Sequence, residues 1–307
     1  MRRRSYGKDF QLTFRMVATS FLLLLVYVAF GLLLLAAGID PLFLLVIGVV
    51  MVAFQYFGSD KLVLMTTGAK VVTPEEEPEL HAMVDRLAAM ADMPKPKKIA
   101  LMDTHVPNAF ATGRNPKNAV IAVTRGLMTR LNTKEQEAVL AHELSHIKNR
   151  DVMVLTWAGL IVIMAGFLMQ MLFWMSLFGG IGGNRDRGGG GNAFMIMIAV
   201  YVGTIAIYWI SQLLILTLSR YREYAADRGS AILTGAPLQL ASALSKISDD
   251  MYRIPEKDLR QVEHANAFFI VNALKGGKGA SMLSSHPPVE KRIQKLRDIQ
   301  REMDREF

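Results

Sequence analysis

His142 and His146 stand four positions apart with Glu143 beside the first, in the run Ala141-His142-Glu143-Leu144-Ser145-His146. On a helix, side chains at i and i+4 project from one face a turn apart, so both imidazoles can reach the same small ion. This H-E-x-x-H pattern suits zinc. A tetrahedral catalytic site uses three protein ligands and keeps one position for water, whose pKa falls from about 15.7 to roughly 7. Glu143 is then placed to act as the base that takes the proton. The chain has six histidines in 307 residues, which makes a chance surface pair in this pattern rare.

Two histidines alone hold zinc too weakly for a dedicated site, so a third ligand is required. Glu223 and Asp227, in Ser219-Arg220-Tyr221-Arg222-Glu223-Tyr224-Ala225-Ala226-Asp227, share a helical face at i and i+4. Glu223 is read as the third ligand of a His2Glu set. Asp227 is read as the group that holds a ligand histidine by its other ring nitrogen. The competing reading is an ordinary charged helix with Arg220, Arg222, Glu223 and Asp227 facing water.

The elements that must position these residues follow from the apolar pattern. Met16–Ala37, Leu42–Phe57, Val152–Phe178 and Ala193–Ser219 are long runs without a charged residue, which predicts four membrane-spanning helices in two hairpins. The first run is too long for a signal-peptide core of about 7–15 apolar residues, and a second span follows almost at once. The expected layout is a tail and first hairpin over 1–57, a first protease part over 58–151, a second hairpin over 152–218 and a second protease part over 219–307. Arg2, Arg3, Arg4, Lys8 and Arg15 precede the first span, which puts the N-terminus in the cytoplasm. Two crossings return the chain to one side, so Glu223 comes back to the side of the metal helix. Six residues of helix from His146 to Val152 amount to about 9 Å, which places the ion close to the membrane surface.

The metal helix is expected to open at Thr133-Lys134-Glu135-Gln136, read as a capping box, and to run to Asp151 without glycine or proline. A helix is expected from Thr73-Pro74-Glu75, with Leu80, Val84, Leu87 and Ala91 on its buried face and His81 at the surface. Lys98–Met102 and Ala119–Thr124 read as strands, and Asn108-Ala109-Phe110-Ala111-Thr112 as the partner of the second in a hairpin. That partner either covers the metal helix or offers an edge to which an extended peptide binds through main-chain hydrogen bonds. Leu238, Ala241, Leu244 and Ile247 mark a core helix. Ile293, Leu296, Ile299 and Met303 give the last helix an apolar face. The glycine-rich stretch Gly179–Asn192 reads as a flexible connection.

Composition narrows the rest. The net charge of +8 is explained by basic residues beside the spans, as a membrane surface favours, and no interleaving of aromatic and basic residues points to nucleic acid. With no cysteine, disulfides and thiolate ligands are excluded.

The combined pattern resembles the HtpX family of bacterial membrane-bound zinc metalloproteases, which are similar in turn to the CAAX prenyl proteases. The resemblance rests on Asn108-Ala109-Phe110-Ala111-Thr112-Gly113, His142-Glu143-Leu144-Ser145-His146, Arg222-Glu223 with Asp227, and His286-Pro287 with Arg292. It implies His142, His146 and Glu223 as ligands of one zinc ion per chain and Glu143 as catalytic base. It also implies that His286 and Arg292 lie near the site, where a donor or cation stabilises the oxyanion. The fold it implies is mainly helical α+β: a cytoplasmic gluzincin-like domain split by the second hairpin of a four-helix membrane part. The expected activity is endoproteolysis of misfolded or damaged membrane proteins at cytoplasmic sites of the bacterial inner membrane. The alternatives are a narrow-specificity processing peptidase of the CAAX type and a non-catalytic metal-binding membrane scaffold. Expected partners are protein substrates and the bilayer.

Overall fold

Val120–Thr124 is a continuous apolar, largely β-branched run, and such a strand is stable when both of its faces are covered. In the computed structural model, which describes residues 9–113, 115–179, 190–253, 270 and 284–305, all five of its residues are buried. It is β4 of a sheet with the order β1-β2-β4-β3, where β1 is Lys70–Val72, β2 Lys98–Met102 and β3 Ala109–Thr112. The pairs β1–β2 and β3–β4 are antiparallel, and β2 runs parallel to β4 with Lys98 opposite Val120. Alternation then divides the strand residues between two cores. Ile99, Leu101, Ile121 and Val123 face one, and Ala100, Met102, Phe110, Val120 and Ala122 face the other. The β3–β4 hairpin is present as expected, and β3 is one of the two edge strands of the sheet.

Among the described residues the α-helices are α1 (Phe10–Ala36), α2 (Pro41–Thr67), α3 (Pro78–Met90), α4 (Arg125–Arg130), α5 (Thr133–Lys148), α6 (Asp151–Gly179), α7 (Gly190–Thr234), α8 (Pro237–Arg253) and α9 (Val289–Arg305). The described residues group into two units. One draws on Phe57–Val154 and Ser219–Phe307 and contains the sheet, α3 to α5, α8 and α9; the other draws on Phe14–Tyr56 and Leu155–Leu218. In the first, α5 packs between the sheet and α8.

In the second unit, Phe30 and Leu34 of α1 pack against Ile161, Ala165 and Leu168 of α6. The Tyr27 hydroxyl donates to the Trp157 carbonyl at 2.5 Å and accepts from the Ile161 amide at 3.0 Å, entering the backbone ladder of α6. Among the described residues, Phe10–Ala36, Asp151–Trp174 and Met195–Thr234 are long and apolar enough to cross a membrane. The apolar part of α2, Pro41–Ala53, is shorter.

Four local expectations are corrected. The helix after Thr73 starts at Pro78, because a proline there clashes with the carbonyl four residues earlier and can only open a helix. Residues 74–76 form a turn instead, in which the Glu76 carboxylate accepts from the Thr73 amide at 2.7 Å. His81 is buried, its Nε2 3.1 Å from the Val72 carbonyl, so it ties α3 to β1. Leu238 is exposed; the buried face of α8 is Leu240, Ala241, Ala243, Leu244 and Ile247. The capping box of α5 belongs to Asn132, whose Oδ1 accepts from Glu135 N while the Glu135 carboxylate accepts from Asn132 N, both at 3.0 Å. Gln136, which would have closed a box on Thr133, reaches back to the carbonyls of Met128 and Leu131. The expected flexible connection Gly179–Asn192 lies largely outside the described residues.

Candidate metal centre

The site is built on the crossing of α5 and α7. Helix α5 is fixed at its start by the Asn132 cap, and its buried Glu135 accepts from Ser242 and Lys246 of α8 at 2.7 and 2.8 Å. Burial alone would raise the Glu135 carboxyl, but these bonds hold it below its ordinary value. Helix α7 runs through Glu223 and Asp227 without a break. The Ser230 hydroxyl donates to the Ala138 carbonyl of α5 at 2.6 Å. At Gly229 the helices approach so closely that an added Cβ would lie 2.4 Å from Ser145 Oγ. That approach lets short carboxylate side chains from α7 reach the imidazoles of α5.

The ring atoms converge. His142 Nε2 and His146 Nε2 are 3.0 Å apart. Glu223 offers Oε2 at 3.6 Å to the first and Oε1 at 3.5 Å to the second. An ion with tetrahedral bonds of about 2.0–2.1 Å separates its ligand atoms by about 3.3 Å, which these three distances bracket. His142, Glu223 and Glu143 are almost wholly buried, and Glu223 Oε2 receives no aligned hydrogen bond among the described residues. The donor set therefore fits zinc: two imidazoles, one carboxylate and no competing thiolate.

Each histidine has a carboxylate behind it. His146 Nδ1 is 2.6 Å from Asp151 Oδ2. His142 Nδ1 is 3.1 Å from Asp227 Oδ1, at an angle too oblique for an aligned hydrogen bond. Each carboxylate is in turn held by a buried arginine. Arg292 is bidentate to Asp227, with Nε at 2.9 Å and Nη2 at 2.6 Å, and Arg222 contacts Asp151.

The electrostatics follow from this crowding. Burial would lower the His142 imidazole, but the contacts with Asp227 and Glu223 draw it up to about 9. His146 is raised too, burial being outweighed by Asp151. Burial would raise Glu223, yet the neighbouring His286 and Arg292 hold it well below the carboxylate range. Glu143 is raised by burial, against the pull of the two histidines. A carboxyl raised in this way is closer to the working range of a general base near neutral pH.

His286 also reaches the site, its Nδ1 3.2 Å from Glu223 Oε2. Its backbone is held by the Ser284 hydroxyl, which accepts from the His286 amide at 3.2 Å and donates to the His286 carbonyl at 3.0 Å. Arg292 is wholly buried, and its remaining nitrogen, Nη1, bonds the Ile270 carbonyl at 2.9 Å and lies 3.1 Å from Glu223. Its donors are spent on protein groups, among them the carboxylates of Asp227 and Glu223.

Asn108 is likewise committed. Its amide donates to Thr124 Oγ1, its carbonyl accepts from the Thr124 amide, and its Oδ1 accepts from the Ile270 amide at 3.0 Å. Of the segment Asn108-Ala109-Phe110-Ala111-Thr112, only Ala111 is not fully buried. The reading from sequence did not single out Asp151 and Arg222 as site residues. The available signal was a carboxylate just beyond the metal helix and an arginine next to Glu223.

Comparison with known proteins gives the family. The model of peptidase family M48 matches residues 74–300. The chain is 51% identical over 302 residues to "Protease HtpX homolog" of Moorella thermoacetica, covering 98% of this chain and 99% of that one. It is 51% identical over 301 residues to "Protease HtpX homolog 2" of Methanosarcina acetivorans, with the same coverage, 98% and 99%. The crystal structure of S. mikatae Ste24p is similar in fold, with a TM-score of 0.55 at 20% identity, covering 93% of this chain and 66% of that longer one. Fold and site thus define a zinc metalloprotease carried on membrane helices. The chain belongs to peptidase family M48, and these relatives lend no support to a non-catalytic scaffold.

Proposed function

We propose that the protein is an integral membrane endopeptidase with four spans, α2 supplying the fourth, and with its site on the cytoplasmic side of the membrane. The carrying observation is the convergence of His142 Nε2, His146 Nε2 and the Glu223 carboxylate within ligand distance of one another. These three hold zinc. Zinc held there would supply a Lewis acid and a water whose pKa falls to about 7. Glu143 takes the proton released as water attacks and passes it to the leaving amine. His286, 15% exposed at its side chain, is the donor that faces the developing oxyanion. Arg292 and Asp227 orient His142 and Glu223. The outer edge of β3 receives the substrate backbone as an added strand.

The substrates are misfolded or damaged membrane proteins, as the likeness to HtpX proteases supports, and in a bacterium the membrane is the inner one. Zinc content of the detergent-purified chain, measured beside Glu223→Ala with cleavage of an unfolded test protein, tests the reading. The parent should hold about one zinc per chain, and the variant should lose both metal and cleavage. A variant that keeps both would remove Glu223 from the ligand set.

A further inference from the structure

We infer that Asp151 and Arg222 are positioning residues for the second histidine, so that each imidazole of the site is held by its own carboxylate and arginine. The inference rests on the zinc reading above. Asp227 and Arg292 form the first of these arms, behind His142; Asp151 and Arg222 form the second, behind His146.

The chain makes a special effort to bring Asp151 there. Helix α5 ends at Lys148, and Asn149 and Arg150 close its last turn with amides bonded to the carbonyls of Ser145 and Ile147. Arg150 takes φ +56, a left-handed conformation that glycine usually fills at this point and that costs other residues about 1–2 kcal/mol. The chain then turns so that Asp151, only five positions after His146, folds back onto that imidazole with Oδ2 2.6 Å from Nδ1. A histidine whose Nδ1–H is held in this way presents Nε2 as the lone-pair donor. Nε2 of His146 is the atom that faces His142 and Glu223.

Arg222 completes the arm. It is the residue before Glu223 on α7, yet it is buried, and its guanidinium contacts Asp151 Oδ1 and donates to the Asn149 carbonyl at 2.8 Å. One guanidinium thereby holds both the carboxylate that orients His146 and the carbonyl that ends the metal helix. Placed beside the third ligand, it also sets the register of α7 against α5. A merely structural ion pair would have no reason to engage the imidazole on its far side.

The test uses the full chain in detergent. Zinc affinity is measured by competition with a chromogenic chelator for the parent, Asp151→Asn, Arg222→Lys and the double variant Asp151→Asn/Arg222→Gln, which removes both charges together. Two further readouts are the visible spectrum of the cobalt-substituted protein and the unfolding temperature of the metal-free protein. Loss of an orienting partner weakens metal binding by about 10–100-fold, so the Asp151→Asn variants should fall in that range, with a shifted cobalt spectrum. The double variant should unfold, metal-free, close to the parent.

Parental affinity and spectrum in variants that fold would overturn the inference. So would zinc loss that occurs only where the metal-free fold is also lost, since the pair would then be structural. A parent that binds no zinc would instead overturn the site reading itself.

Discussion

Glu143 sits next to a ligand histidine on α5, buried to 4% exposure with its carboxyl raised by that burial. It makes a discriminating target because its removal need not touch the metal. Glu143→Gln keeps the shape and the hydrogen-bonding capacity but cannot take a proton. It is expected to bind zinc as the parent does while turnover falls about 10²–10⁴-fold, the usual contribution of a positioned acid–base group. Zinc stoichiometry and cleavage rate measured on one preparation check this. Cleavage at the parental rate would take the base role away from Glu143. The opposite pattern belongs to the ligands, where metal and activity should disappear together.

Between α5 and α7 the limiting contact is Gly229 against Ser145, the residue just before His146. An added Cβ at 229 would lie 2.4 Å from Ser145 Oγ and 2.8 Å from its Cβ. Both helices are held here, α5 by its Asn132 cap and Glu135 and α7 by Ser230, so neither can move without losing a hydrogen bond. Gly229→Ala is expected to destabilise the protein by about 1–3 kcal/mol, the ordinary cost of overpacking. It should also loosen zinc, because Glu223 and Asp227 retreat with α7. Adding Ser145→Gly should recover part of both, as read by thermal unfolding and by chelator competition. Full stability and affinity in Gly229→Ala alone would show that the contact is relieved elsewhere.

At the scale of the whole chain, the ligands come from two stretches separated by the apolar segments of α6 and α7. Only four residues, Ile147 to Arg150, stand between His146 and the start of α6. A protease tied to a membrane in this way should favour substrates tied to it as well. Tethering raises the local concentration toward the millimolar range. A substrate present at micromolar concentration should therefore be cut about 10-fold faster or more when it carries a membrane anchor than when it is soluble. The comparison uses one target sequence with and without an anchor, in liposomes containing the protease. Equal rates for the two would show that the bilayer plays no part in substrate capture.

The histidine pair and Glu143 were legible in the sequence because a helix of 3.6 residues per turn fixes what spacing does on one face. The same local rule made Glu223 and Asp227 candidates and gave most helices, while the alternation of extended chain gave three of the four strands, β1 excepted. Run length, not periodicity, marked the long apolar helices, since lipid demands uninterrupted apolar runs. The choice between Asn132 and Thr133 as cap, and the burial of His81, were not legible. Both depend on which of several competing local bonds the surrounding packing permits. Asp151 and Arg222 were further from view, and for Arg292 the resemblance gave nearness to the site but not its pairing with Asp227. An aspartate just past a helix and an arginine on another look like solvated charge in a linear sequence. Only the tertiary structure removes water from them, and a buried charge must then find its partner. Sequence thus determined the candidate ligands and base, while the fold decided which charges are buried against them.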